Sequence, residues 1–338
     1  MPDNPKALSQ ADRLKKCIPY LFVLLVVLLD VALSRYTKQT SLLVPQTAAI
    51  AAGFLLVPSV SFIDNGWKAL VLSASGAALG ILFANLAGLP VFVRLPVVCL
   101  LCEALLLAFS SSFTPVIALA CYPVLYHVTS LYYIPAAAAL CALVLVLQRL
   151  LLVLHLQTRA PALPAVRPDR SDLVLPLART LIVFLLVFLP AKTSFPLLLV
   201  PELLSSFWDF SDPSCTSRRM PMSTVILLAM GAVAGVFCQV LLRARLGVPT
   251  LVCVLISCLL VFFFYVCFGA VLPQALAIAL LSYTIPAGQF LFFPIRIFAG
   301  ASLFMALSAL LFRKSGRRGF HPPPTPPCVP FGTRRFKR

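Results

Sequence analysis

Charge is scarce in this sequence, and negative charge scarcer still. Only 11% of the 338 residues are charged, with 10 Asp and Glu against 27 Lys and Arg. Soluble domains carry about 25% charge, so a water-facing globular fold is excluded. Histidine is as rare, with three in all, and no Ser-His-Asp, HExxH, P-loop or GxGxxG context is present. That argues against an enzyme and against nucleotide-driven transport, and implies no cofactor and no metal. Cys99-Leu-Leu-Cys102 has the spacing of a metal or redox pair, but it sits in an apolar run with no second pair, so both read as small hydrophobes. Eleven cysteines, nearly all within such runs, do not imply a disulfide framework.

What is present is hydrophobic. Apolar residues make up 61% of the chain, and the mean hydropathy is +1.02. The fold class expected is an all-α polytopic membrane protein. Cutting at polar breaks gives about 12 segments: 18–33, 41–62, 69–88, 95–113, 114–128 and 132–147, then 173–189, 194–210, 222–242, 247–268, 271–286 and 290–312. A helix needs ~20 residues to span ~30 Å of hydrocarbon. The fifth and eleventh segments are short, which leaves full spans and half-spans both open there.

The two sets of six resemble each other. Ala74–Gly80 returns as Ala229–Gly235, Leu42-Leu43-Val44-Pro45 as Leu198-Leu199-Val200-Pro201, and Pro115–Ala120 as Pro273–Ile278. A near-constant displacement across three blocks points to a tandem duplication. The expected domains are a first repeat (1–156), a linker (157–172), a second repeat (173–314) and a basic, proline-rich tail (315–338). An even number of spans per half makes the repeats parallel. Lys6, Arg13, Lys15, Lys16, Lys68, Arg149, Arg159, Arg167, Arg170, Arg218, Arg219 and the tail fall on one side. Only Arg35, Lys38, Arg94, Lys192, Arg243 and Arg245 fall on the other. The positive-inside rule then puts both termini in the cytoplasm. The net charge of +17 is met by anionic lipid and requires no nucleic acid.

Three constellations stand out. Gly76 and Gly80, with Gly231 and Gly235 as their repeat partners, are helix-packing candidates, because small residues four apart let backbones approach closely. One reading sets the two smooth faces against each other at the axis between the halves. Pro45, Pro123, Pro201 and Pro286 mark broken segments at matched places, the sequence pointer to a binding site between repeats. Glu103, Glu202 and Arg296 are ionisable residues inside apolar segments. A charge there costs ~2.5–3.5 kcal/mol on insertion scales, so each should face protein or water. Glu103 and Arg296 occupy non-equivalent places, which allows them to pair. Arg179, near a span end, reads as snorkelling, and Asp30 as interfacial.

Two parallel six-span halves with a basic linker resemble the fusaric-acid-resistance and aromatic-acid-exporter superfamily of bacterial inner-membrane proteins. The resemblance rests on Pro45-Gln46-Thr47, Trp67-Lys68 leading into Ala74–Gly80, Pro201-Glu202 and Ala229–Gly235. The large members carry a soluble domain that Thr158–Asp172 is too short to be, so the similarity is to the short, membrane-only members. It implies a secondary transporter exporting small, aromatic or organic-acid molecules across the inner membrane, with a periplasmic adaptor as partner. The alternative is a non-transporting membrane scaffold or assembly partner. The oligomeric state is open.

Overall fold

The computed structural model describes residues 10–37, 43–57, 66–86, 88–157, 174–193, 200–211 and 215–312. Apart from Gln157, the predicted linker and the tail lie outside them. The first half supplies α1 (Gln10–Tyr36), α2 (Gln46–Leu56), α3 (Gly66–Asn85), α4 (Val91–Ala108), α5 (Pro115–Tyr126) and α6 (Tyr133–Val153). The second supplies α7 (Val174–Thr193), α8 (Pro201–Ser211), a single turn α9 (Thr216–Arg219) and α10 (Pro221–Phe237). It continues with α11 (Thr250–Phe268), α12 (Pro273–Leu281) and α13 (Phe293–Leu311). Past Phe237, α10 runs on as a π-helix, Cys238–Arg245.

The described chain is helical, with no strand among the described residues. Seven helices are long and apolar enough to cross a membrane by length and composition: α1, α3, α4, α6, α10 with its π-helical end, α11 and α13. This supports a polytopic helical membrane protein with fewer full-length spans than the segment count predicted. The shortfall has a physical source. The segment at 41–62 was expected to be one long helix, yet α2 occupies only Gln46–Leu56, and α8 is likewise 11 residues. With α5 at 12 and α12 at 9 residues, each of these short helices rises about 14–18 Å, roughly half the hydrocarbon thickness.

Their burial explains why α2, α5 and α12 are as apolar as true spans, while α8 carries Glu202, Asp209 and serines between them. Every residue of α5 from Val116 to Val124, and of α12 from Gln274 to Leu281, is buried. So are Gln46–Ala52 of α2 and Pro201–Trp208 of α8. Four half-length helices thus form the centre of the bundle, sheathed by longer ones. Proline marks where each begins. Pro45 precedes α2, Pro201 opens α8, and Pro115 and Pro273 open α5 and α12. Pro45 and Pro201 therefore do not interrupt helices, as the sequence suggested, but start them, where the missing N–H is not needed. Only Pro123 lies inside one of the four, and Pro286 lies in the exposed connection after α12.

Packing partners recur in the two halves. α5 lies on α3 as α12 lies on α10; α6 touches α3 and α2 as α13 touches α10 and α8. Across the halves, α2 packs on α12 and α8 on α5, while α1 meets α11 and α4 meets α7. The glycine pairs set the first of these contacts. A Cβ on Gly76 would stand 2.6 Å from the Val116 side chain, and one on Gly80 2.6 Å from the Ala120 carbonyl. Gly231 and Gly235 face the carbonyls of Ala275 and Ala279 more closely still. Both pairs therefore seat the short helix of their own half. They do not meet each other across an axis.

Candidate functional site

The site is built where the two short helices α2 and α8 begin. Gln46 and Glu202 each follow the proline that starts its helix, and the structure brings them together: Gln46 Nε2 donates to Glu202 Oε1 at 3.0 Å. Glu202 is 1% exposed. Its second oxygen, Oε2, is buried with no hydrogen-bond partner. Glu202 makes no ion pair; the one between described residues is elsewhere. A lone buried carboxylate oxygen is costly, and two helix N-termini supply the positive dipole ends that make a carboxylate tolerable there.

Asp30 completes this end of the site. It is fully buried rather than interfacial, and reaches from α1 to accept from the Val44 backbone N–H (3.3 Å) and Thr47 Oγ1 (3.2 Å). It thereby satisfies donors that the start of α2 leaves open. Tyr133 at the head of α6 donates to the Leu119 carbonyl at 3.0 Å and lies 3.4 Å from Gln46 Oε1. Its ring stacks on Tyr122, which stacks on Tyr126. The polar junction is therefore walled by three tyrosines.

A second acid lies on the same face of α8. Asp209 is seven residues, two helical turns, beyond Glu202, about 10 Å along the axis. It accepts from Thr114 Oγ1 (2.8 Å), which precedes α5, and from Gln274 Nε2 (2.6 Å), the second residue of α12. Ser205 and Ser206 lie between the acids and donate to the Glu202 carbonyl at 3.1 and 2.7 Å. One helix thus carries acid, serines and acid through the buried centre, with α2 at one end and α5 and α12 at the other. In α2 the residue seven positions after Gln46 is Gly53, whose Cβ would lie 3.8 Å from Pro273. The acidic stripe belongs to one half only.

Glu103 is not part of it. Its Oε1 is paired with Arg179 Nη1 at 2.9 Å, and Trp208 Nε1 donates to its Oε2. This joins α4 to α7 and α8. The pairing with Arg296 allowed by the sequence is not made, and Arg179 is buried in an ion pair rather than snorkelling. Arg296 donates to Gln289 at 3.1 Å in an exposed position and lies over the Phe292 ring. Of the four prolines, Pro45 and Pro201 are at the junction. Pro123 packs near Gly80, and Pro286 lies in the connection after α12. Sequence reasoning missed Asp209 and Trp208 and took the buried Asp30 as interfacial. The i,i+7 spacing of Glu202 and Asp209 was a readable signal; the partners of Asp30 and Trp208, on other helices, were not.

Among the described residues no group of His, Cys, Asp or Glu is arranged to hold a metal ion. No family model, curated protein or solved structure matches the chain.

Proposed function

We propose that the protein is a secondary transporter formed by two parallel copies of a six-helix unit, exporting small aromatic or organic-acid molecules across the bacterial inner membrane. The observation that carries this is Glu202: a buried carboxylate with an unpartnered oxygen, where two half-length helices from the two halves begin. Polar helix starts buried at membrane depth recur where a transporter binds its cargo or coupling ion. The duplicated reading is supported by the recurrence of helix neighbours between the halves and by Gln46 and Glu202 being equivalent positions that touch. Glu202 is the group that takes up and releases the coupling proton, Gln46 orients it, and Asp209 offers a second stop two turns along the same helix. Reconstitution tests this. In proteoliposomes with an imposed pH gradient, the protein should move at least one member of a panel of aromatic and aliphatic acids faster than empty vesicles. A panel without any gradient-driven flux would refute the transport reading and leave a membrane scaffold.

The orientation belongs to the same proposal. With the termini in the cytoplasm, reporter fusions at residues 165 and 330 should both give cytoplasmic signals, as the distribution of Lys and Arg requires. A periplasmic signal at either would overturn the parallel arrangement.

A further inference from the structure

One cavity lies away from the acidic stripe, at the end of the bundle where α1 finishes and α11 begins. It has a volume of about 380 Å³ and is lined by Val31, Ser34 and Arg35 of α1, Arg243 of the π-helix, Thr250 of α11 and Tyr283 beyond α12, among others. Two arginines therefore line one pocket. Neither makes an ion pair among the described residues. The acids with described side chains are engaged elsewhere: Asp30 with Val44 and Thr47, Glu103 with Arg179, Glu202 with Gln46, and Asp209 with Thr114 and Gln274.

The pocket is held open by neutral groups. Arg243 donates to Gln239 at 3.1 Å, Gln239 to the Ser282 carbonyl at 3.4 Å, and the Tyr283 hydroxyl is 2.7 Å from Ser257. The wider turns of the π-helix set Arg243 in place; such turns inside helices are frequent at functional sites. Nothing in this set neutralises the two guanidiniums. Two adjacent arginines without acids call for an oxyanion, and planar guanidinium donors suit phosphate oxygens.

The surroundings indicate which oxyanion. Below Arg35, α1 presents Leu21, Leu25, Leu29 and Leu33 as one exposed stripe, and α11 presents Leu251, Leu259 and Phe263. Apolar side chains four apart on the outside of a spanning helix are where acyl chains lie. A phosphate with acyl chains beneath it is a phospholipid, and two guanidiniums with no acid between them favour one whose headgroup keeps a net negative charge. We infer that the pocket framed by Arg35 and Arg243 holds the phosphodiester headgroup of one anionic phospholipid, at the seam where α1 of the first half meets α11 of the second. The lipid acts there as glue between the halves. This goes beyond the transport reading and does not depend on it.

The test is native mass spectrometry of the full chain in mild detergent with added phosphatidylglycerol or phosphatidylcholine. One phosphatidylglycerol per chain should be retained in preference to phosphatidylcholine. Arg35→Gln and Arg243→Gln should each weaken retention about fivefold, and the double variant about 25-fold. Arg149→Gln, at an exposed basic position on α6, should leave it unchanged. Thr250→Trp, which blocks the cavity rim without touching either charge, should also reduce retention and guards against misfolding of the arginine variants. Equal retention by all variants would overturn the assignment. So would displacement of the lipid by millimolar inorganic phosphate with the phosphate bound in its place, which would make this a site for free oxyanions.

Discussion

Glu202→Gln is expected to reduce gradient-driven transport to the level of empty vesicles while the protein inserts and unfolds as the parent does. Glutamine has the same shape, and its carbonyl oxygen still accepts from Gln46 Nε2, now at 3.0 Å from Glu202 Oε1. What it loses is the ability to carry a proton and a charge. The amide NH2 takes the place of an oxygen that already has no partner, so one unpartnered buried group replaces another. Loss of flux with an unchanged unfolding midpoint is therefore the signature of a coupling group. The swap Gln46→Glu with Glu202→Gln moves the carboxylate to the facing helix start and should restore measurable flux. Full transport by the single variant would remove Glu202 from the mechanism.

The ion pair at Glu103 should behave in the opposite way. Arg179→Met strips the charge partner and leaves the carboxylate buried with only Trp208 donating to it. Breaking one side of a buried pair costs about 3–5 kcal/mol. Removing both charges, Glu103→Gln with Arg179→Met, should recover most of that cost, because no charge is then stranded. Unfolding midpoints of the three proteins in detergent measure this directly, and a double variant as unstable as Arg179→Met would contradict it. Because Glu103 ties α4 to α7 and α8, its single glutamine variant is expected to lower stability more than it lowers flux per folded molecule.

Much of this arrangement was legible in the sequence, and the limits are instructive. The ends of α3, α11 and α13 fall within about three residues of the apolar runs, because polar breaks mark where a helix leaves hydrocarbon. The length of α2 could not be read that way. A half-helix wrapped by protein and a full span wrapped by lipid have the same apolar composition, so hydropathy alone does not separate them. Glycine spacing foretold that Gly76, Gly80, Gly231 and Gly235 sit at close backbone approaches, and the structure has them there. Spacing does not name the partner, which is the short helix of the same half. Likewise the cost of burial said that Glu103 needs company, but not whether Arg179 or Arg296 would provide it. The same cost singled out Glu202, which the structure buries. Its contact with Gln46, 156 residues away, required the fold.

The central position of α2 bears on how the chain is made. Its cover, α12, begins at Pro273, and α2 ends at Leu56. A ribosome adding ~5–20 residues per second needs roughly 10–40 s to make the intervening chain. During that interval α2 has α1, α5 and α6 of its own half against it but not α12. A half-length helix cannot seal itself in the bilayer, so the nascent first half must be sheltered by the insertion machinery or by water until the second half arrives.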